Sequence, residues 1–469
     1  MTIADFLGNF ELSTRPVHPE SRAALASRWA ALPEHVKTQN QVLGRCAIGC
    51  EGTHGVFPKC NLTCSPCYHS AEANQVRVDG DHTVREVQRQ MEYLRAVRGP
   101  SAHAQLIGGE VSLLAPEDHA AALTVMRANG REPMSMTHGD FDYEYLLAVV
   151  LGADGEPRFD RVSFAAHFDS LMRGRRGAVR PRNESELDPF RLKFARMFQD
   201  LRRDHGVSSY LAHNMTVTPS NFGEVAEVTR SVLSMPYDML SFQPAAYIGD
   251  GRRWKEDFTE VGIDDVWQKI EEGAGQKVPW EGIQVGDPRC NRYSTGVFAG
   301  EKFSVLVDPQ DAADIAARDT LLAHHGGIVF IGQNRWILVA KIVRAVLRHP
   351  ADVGVLLGHA RRMVRRAGGL RSLWDAWRTK SLSIKSFVVH NFMDAAVVAP
   401  AWDMMQQGQI SDEPKIREAQ ERLGACMYTM SHPETGQLVP ACTQHSVLDP
   451  AANIELRRLL PLRVKSTVD

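Results

Sequence analysis

Lys59-Cys60-Asn61-Leu62-Thr63-Cys64-Ser65-Pro66-Cys67-Tyr68 places three cysteines at C-x3-C-x2-C spacing in one short segment, and no fourth cysteine follows nearby. A structural zinc or an ordinary electron-transfer cluster takes four protein ligands. Three thiolates on a cubane of four irons and four sulfides leave one iron open to an outside ligand, and soft thiolates suit iron–sulfur binding. The competing reading is a zinc site completed by His69 or Cys50, but zinc sites favour paired C-x2-C spacing. The spacing therefore favours a [4Fe–4S] cluster on Cys60, Cys64 and Cys67 with one iron kept open for chemistry.

Outward from this stretch, strand and helix patterns alternate. A first strand is expected over Ala47–Phe57, feeding the cysteine loop. Helical periodicity follows at His82–Arg98, then a short strand at Ala104–Ile107 that ends in Gly108-Gly109-Glu110. The pattern continues with a helix at Pro116–Asn129, a strand at Pro133–Thr137, a helix at Tyr143–Val150 and a strand at Arg161–Ala166. Helix Glu184–Arg203, strand Ser208–Val217, helix Ser220–Leu233 with Ser220 as N-cap, and strand Asp238–Phe242 complete it. Six strands alternating with helices predict parallel βαβ units, an α/β fold of the partial (β/α)6 barrel type. In such barrels chemistry sits at the C-terminal ends of the strands, which is where the cysteine loop and Gly108-Gly109-Glu110 fall.

This gives a division into an N-terminal extension (1–45), the partial barrel (46–245), a connecting or substrate region (246–334), a basic amphipathic helical region (335–385) and a cysteine-containing C-terminal region (386–469). In 335–380 many arginines interleave with apolar residues at helical spacing, including Trp336, Trp374 and Trp377. That is a membrane-surface signature, with an Arg-rich face packed on the barrel as the plainer alternative.

The chain has 469 residues, 43% hydrophobic and 23% charged, ordinary values for a globular protein with a substantial core. Its 54 Lys+Arg against 56 Asp+Glu give a formal charge of −2, and no nucleic-acid partner is expected. Cys46, Cys50, Cys60, Cys64 and Cys67 crowd the 46–67 segment, which suggests metal or redox chemistry in a reducing compartment rather than disulfides. The first residues show no basic-then-apolar export pattern and no apolar run is long enough to span a bilayer, so a cytoplasmic location is expected, peripheral at the membrane if 335–380 docks there.

Other residues invite chemical roles. His167 and Asp169 end the fourth expected strand, followed by Arg173, Arg175 and Arg176, which could hold a carboxylate or phosphate. Gln243 closes the sixth strand and is a candidate adenine or substrate contact. Cys46, Cys50, Cys290, Cys426 and Cys442 remain. Pro433, Gly436 and Pro440 make the segment between the last two a looped hairpin, and a second, auxiliary [4Fe–4S] cluster drawn from these five is the preferred reading. Spacing leaves open which four serve.

The cysteine triplet, the aromatic Tyr68 directly after it and Gly108-Gly109-Glu110 together resemble the radical S-adenosylmethionine (SAM) superfamily. Asp287-Pro288-Arg289-Cys290, His390-Asn391-Phe392-Met393-Asp394, Cys426 with Tyr428, and His432 to Cys442 resemble the C-terminal region of the group that includes the archaeal tetraether lipid synthases. The resemblance spans about residues 45–445 as islands, and this chain has fewer cysteines ahead of the triplet than that group. It implies that the open iron chelates SAM, that one-electron reduction gives a 5′-deoxyadenosyl radical, and that this radical takes hydrogen from an unactivated carbon. It also implies that Tyr68, Gly108, Gly109 and Glu110 contact SAM, with Glu110 receiving the SAM ammonium. His167, from its place at a strand end, is a candidate SAM or substrate contact, with a structural hydrogen bond the equal alternative, and Gln243 stays the strand-end candidate for an adenine or substrate contact. A lipid or other long-chain substrate and a reduced flavodoxin- or ferredoxin-like electron donor follow from it. A peptide- or protein-modifying enzyme of the same superfamily is the alternative, and a non-catalytic zinc-binding scaffold the second.

Overall fold

The computed structural model describes residues 8, 10–252, 254, 260–330 and 334–462. Its centre is a curled parallel sheet. Strands β1 (Cys50–Gly52), β3 (Ala102–Leu106), β4 (Arg131–Thr137), β5 (Arg161–His167), β7 (Ser208–Val217) and β8 (Met239–Pro244) lie side by side in chain order, all parallel. Two short strands, β2 (Thr63–Cys64) and β6 (Met172–Arg173), pair with each other outside that sheet.

Helices return the chain between strands. After α1 (Pro19–Ala31) come α2 (Gly80–Arg98), α3 (Pro116–Ala128), α4 (Tyr143–Val150), α5 (Asp188–His205) and α6 (Val225–Leu233). Strand alternation divides the sheet's two faces. Leu106, Phe164, Met215 and Phe242 point to the helices and join one large core, with Phe198 of α5 tilted against Phe164 and Phe194 against Phe198. Their in-between neighbours point to the concave side.

That concave side is closed by residues beyond 245, whose strands continue the same sheet. After α7 (Ile263–Ala274), the hairpin β9 (Asn291–Ala299) and β10 (Lys302–Val305) leads to α8 (Ala312–Thr320), α9 (Arg335–Arg348), α10 (Asp352–Arg366) and α11 (Gly369–Arg378). Strand β11 (Leu382–His390) then inserts between β8, to which it is parallel, and β9, to which it is antiparallel. At the other edge β12 (Tyr428–His432) pairs parallel with β1, and β13 (Gln437–Pro440) folds back on it. Helices α12 (Ala395–Gln406) and α13 (Pro414–Gly424) connect the two additions, and α14 (Asp449–Leu459) ends the described chain. Among the described residues one sheet of 11 strands results, with C-terminal strands at both ends.

Two expectations change. The first strand is short, Cys50–Gly52 rather than Ala47–Phe57. Gly49 takes φ +118°, and a Cβ there would lie 2.5 Å from the Met427 carbonyl, so regular strand begins only after it. Past Gly52 the Thr53 hydroxyl donates to the Ile107 carbonyl at 2.7 Å and accepts from the Ile107 N–H at 2.9 Å, ending the ladder. Ser220 does not cap α6. Asn221 does the polar work at that corner, its Oδ1 accepting from the Thr218 N–H at 2.8 Å and its amide donating to the Thr216 carbonyl at 3.0 Å.

Candidate active site

One cavity of about 250 Å³ occupies the concave face. Alternate residues of successive strands reach it: Gln105 from β3, Met134 and Met136 from β4, Ala165 and His167 from β5, Asn214 and Thr216 from β7, and Ser241 and Gln243 from β8. Cys60, Cys64 and Cys67 line it at the strands' C-terminal ends. Cys50, Cys290, Cys426 and Cys442 line it as well, Cys50 and Cys426 at the starts of the parallel strands β1 and β12 rather than at their C-terminal ends.

The triplet loop is clamped by three strand ends. The Gly109 N–H donates to the Phe57 carbonyl at 2.7 Å, and the Glu110 N–H to the Lys59 carbonyl at 2.9 Å. A Cβ at Gly108 would sit 2.6 Å from the Phe57 ring, and one at Gly109 would sit 2.1 Å from the Lys59 carbonyl oxygen. Glycine is therefore required at both positions for the segment after β3 to lie on the backbone entering the loop. His138, just past β4, shares a 2.7 Å hydrogen bond with Asn61 Oδ1. The β2–β6 pairing aligns Cys64 with Met172 and ties the loop to the segment after β5. Asn74 Oδ1 accepts from the Cys60 N–H at 3.0 Å, and His69 Nε2 lies 2.5 Å from the Gly108 carbonyl oxygen.

The Glu110 carboxylate is fully buried and turned to β4, away from the cavity wall. Oε1 accepts from Thr137 Oγ1 at 2.7 Å, Ser112 Oγ at 2.6 Å and the Ser112 N–H at 3.0 Å, and Oε2 accepts from the His138 N–H at 2.7 Å. The side chain is a clamp between strand ends, leaving the backbone of Gly108 and Gly109 as that motif's face on the cavity.

His167 and Gln243 do line the cavity. His167 Nε2 lies 2.5 Å from Asp169 Oδ2 and 3.0 Å from Thr216 Oγ1. Burial opposes ionisation of Asp169, but His167 and neighbouring N–H donors hold its carboxyl below the ordinary value. Gln243 donates to Ser241 Oγ at 2.7 Å. The arginines after β5 are engaged elsewhere. Arg175 is buried, donates to the His138 carbonyl at 2.7 Å and stacks over Phe168 at 4.6 Å. Arg176 pairs with Asp140 at 3.3 Å, and Arg173 donates to the Ser170 carbonyl at 3.2 Å.

The second thiol set is assembled by topology. Cys50 belongs to β1, Cys290 directly precedes β9, Cys426 precedes β12 and Cys442 follows β13. Arg422 of α13 donates to Cys290 Sγ at 3.1 Å and to the Asn391 carbonyl at 3.0 Å. Burial raises all four thiols, Cys50 to about 12 and Cys290 to about 11. They stay protonated unless a cationic centre joins them, and thiolate is the form that ligates metal. Cys46 does not belong to this set: it is exposed and absent from the cavity wall, with its thiol beside the Gly327 backbone.

Between the two sets lie Tyr68 and Tyr428, which pattern reading gave no joint role. Tyr68 stacks on His445 at 5.4 Å and meets Phe392 at 5.0 Å. Among the described residues both buried hydroxyls lack a hydrogen-bond partner, although both rings line the cavity. A buried hydroxyl left unpaired costs roughly 1–3 kcal/mol, so the cavity is suited to a polar occupant there. A Cβ at Gly52 would fall 2.4 Å from the Tyr428 oxygen, so glycine makes room for that ring. Soft thiols, bare glycine backbone and unpaired hydroxyls together fit iron–sulfur groups and a zwitterionic ligand.

No family model and no curated protein matches the sequence. Among solved structures, Streptococcus suis SuiB is similar at 13% identity and TM-score 0.33, over 52% of this chain and 49% of that one. Native anSMEcpe with bound AdoMet and the Cp18Cys peptide matches at 12% identity and TM-score 0.32, over 47% of this chain and 57% of that one. The matched part spans about half the length of these structures. At this distance the site's own geometry decides the chemistry.

Proposed function

We propose that this chain is a radical SAM enzyme acting on a long-chain, apolar substrate, with Cys60, Cys64 and Cys67 holding the SAM-binding [4Fe–4S] cluster. Cys290, Cys426 and Cys442, with Cys50 as the fourth buried thiol, hold an auxiliary [4Fe–4S] cluster. The observation that carries this is the convergence of both thiol sets on one cavity at the strand ends. When bound, the cluster and SAM supply one-electron cleavage of the sulfonium and hydrogen abstraction from an unactivated carbon.

The protein's own contribution is positioning and exclusion of water. Gly108 and Gly109 offer backbone beside the triplet for the amino-acid end of SAM. His167, fixed by Asp169 and Thr216, and Gln243, fixed by Ser241, supply polar contacts deeper along the strands. Met134, Met136, Met172, Met239, Met393 and Met427 also line the cavity. Their flexible thioethers suit an apolar chain of variable shape.

The same substrate class is favoured by the helices between 335 and 378. Trp336, Val339, Val343 and Leu347 form a helical stripe on α9, and Leu370, Trp374 and Trp377 form one on α11. Both stripes face solvent, with Leu347 74% and Leu370 76% exposed. Part of the basic block is turned inward: Arg362 and Arg366 pair with buried Asp314, and Arg344 with Glu11. Arg335, Arg348, Arg371, Arg378 and Lys380 stay exposed around the stripes. Exposed tryptophan and leucine ringed by cations match an anionic lipid surface. Among the described residues no helix is long and apolar enough to cross a membrane, so such docking is peripheral. The electron donor is a reduced flavodoxin- or ferredoxin-like protein.

The test is 5′-deoxyadenosine formation by anaerobically reconstituted protein with dithionite, measured with lipid extract, with peptide libraries and with neither. Stimulation by lipid supports the substrate class, and stimulation by peptide alone replaces it with a peptide-modifying reading. No SAM cleavage under any condition removes the radical assignment. In parallel, the protein is expected to sediment with anionic vesicles and release as salt rises, each surface arginine contributing roughly 1 kcal/mol. Trp374→Ala with Trp377→Ala should weaken that binding about tenfold; binding unchanged by both would detach the stripes from the membrane.

A further inference from the structure

Apart from the cavity, His324, His349 and Asp352 bring one ligand atom each to within 4.8 Å of one another. They come from three separate places. His324 and His325 end the helical turn Leu321–His325 that continues α8, His349 follows α9, and Asp352 opens α10. Asp352 Oδ2 lies 2.8 Å from His324 Nδ1 and 2.8 Å from His325 Nε2. The rings of His324 and His349 are stacked, with centroids 4.2 Å apart and planes within 7°. Asp352 and His325 side chains are each 10% exposed, whereas His324 is 41% exposed, so solvent reaches the cluster on that side.

Hydrogen bonding to one carboxylate explains His324 and His325 but not His349. Its ring is held against the others by stacking, where a protonated imidazole would repel its neighbour. A divalent ion gives all three groups a use. Two imidazole nitrogens and a carboxylate oxygen are the donor set of a zinc-type site with one position left for water, and imidazole is a poor ligand for calcium or magnesium.

We propose that His324, His349 and Asp352 bind a zinc-type divalent cation, with His325 orienting the Asp352 carboxylate from outside the coordination sphere. Ligands about 2.0–2.1 Å from a tetrahedral ion are about 3.4 Å apart. On loading, the His324–Asp352 contact therefore opens by about half an ångström, and the His324 and His349 rings turn out of their parallel stack so that both nitrogen lone pairs meet the ion, a change of side-chain rotamers. Hydrogen-bonded carboxylate and imidazole ligands are the usual outer-shell arrangement at such sites. The ion would pin the turn after α8 to the corner between α9 and α10, fixing the base of the helices that carry the exposed stripes.

The test is cobalt titration of the iron-loaded protein, so that the cavity thiols are already occupied. Wild type should take up about one further equivalent with tetrahedral d–d bands and no thiolate-to-cobalt charge transfer. His324→Ala and His349→Ala should each weaken this site about tenfold or more with iron content unchanged. His349→Cys should keep the ion and add a thiolate charge-transfer band, and zinc should raise the melting temperature of wild type but not of His349→Ala. No extra equivalent in wild type, or uptake indifferent to both alanine variants, overturns the proposal. Iron content serves as the check that each variant is folded, and His324→Ala, at the exposed edge of the cluster, is the variant least able to disturb packing.

Discussion

The two thiol sets around the cavity differ in how they are made. Cys60, Cys64 and Cys67 occupy one loop whose shape is set by neighbours within a few strands: Phe57 and Lys59 against Gly108-Gly109, Asn61 against His138, and β2 against β6. Cys50, Cys290, Cys426 and Cys442 have no shared loop. They meet only because β11 and β12 extend the sheet at opposite ends and α13 joins those ends, with Arg422 reaching Cys290. The first set is a local motif that the barrel presents. The second depends on the completed sheet, so it should be lost by remote damage that leaves the first intact.

Changes to the triplet should have the largest effect. Cys60→Ala, Cys64→Ala or Cys67→Ala should abolish deoxyadenosine formation and remove about four irons per chain, read by product chromatography and iron analysis. Retained SAM cleavage in the triple variant would end the assignment. Next come Cys290→Ala, Cys426→Ala and Cys442→Ala. These should also remove about four irons and abolish substrate turnover, yet keep substrate-independent SAM cleavage. Loss of cleavage as complete as in the triplet variants would mean that the two sets are not separate.

Glu51 offers a test of their common support. On β1, beside Cys50 and ahead of the triplet loop, it pairs with Arg131 through 2.9 Å and 3.1 Å contacts, both side chains fully buried. Removing one partner strands the other charge, so Glu51→Ala should cost about 3–5 kcal/mol in denaturant unfolding. Both sets should lose iron together in that variant. Loss confined to one set would show that β1 supports only that set.

The smallest effect separates the motif's glycines from its acid. Glu110→Ala leaves buried donors from Thr137, Ser112 and His138 unpaired and should cost about 3 kcal/mol. SAM affinity, measured by calorimetry on iron-loaded protein, should change about twofold or less, because the carboxylate does not reach the cavity. A large affinity loss at unchanged stability would restore Glu110 to the binding site.

The same contrast explains what could be read from the chain. Six parallel strands and the helices between them were legible because each unit is local and periodic. Strand β11, Leu382-Ser-Ile-Lys-Ser-Phe-Val-Val-His390, is buried only over 385–389 and does not announce its insertion between β8 and β9, since pairing partners are not written into a strand's own pattern. The grouping of the triplet in one loop was legible from spacing; the distance of Cys46 from the cavity wall and the place of Cys50 on it required the sheet. Glu110 matched a motif, but the direction of its carboxylate depends on Thr137 and His138, which come from the next strand. Tyr68 and Tyr428 face one cavity only because β12 pairs with β1, so their joint position had no signal in sequence.

Two separate iron–sulfur centres are proposed to face one cavity. Iron and acid-labile sulfide counting on anaerobically reconstituted wild type, the Cys60/Cys64/Cys67 triple variant and the Cys290/Cys426/Cys442 triple variant tests it most directly. Wild type should carry about eight irons and each triple variant about four. About four irons in wild type, with both variants losing the same four, would contradict it.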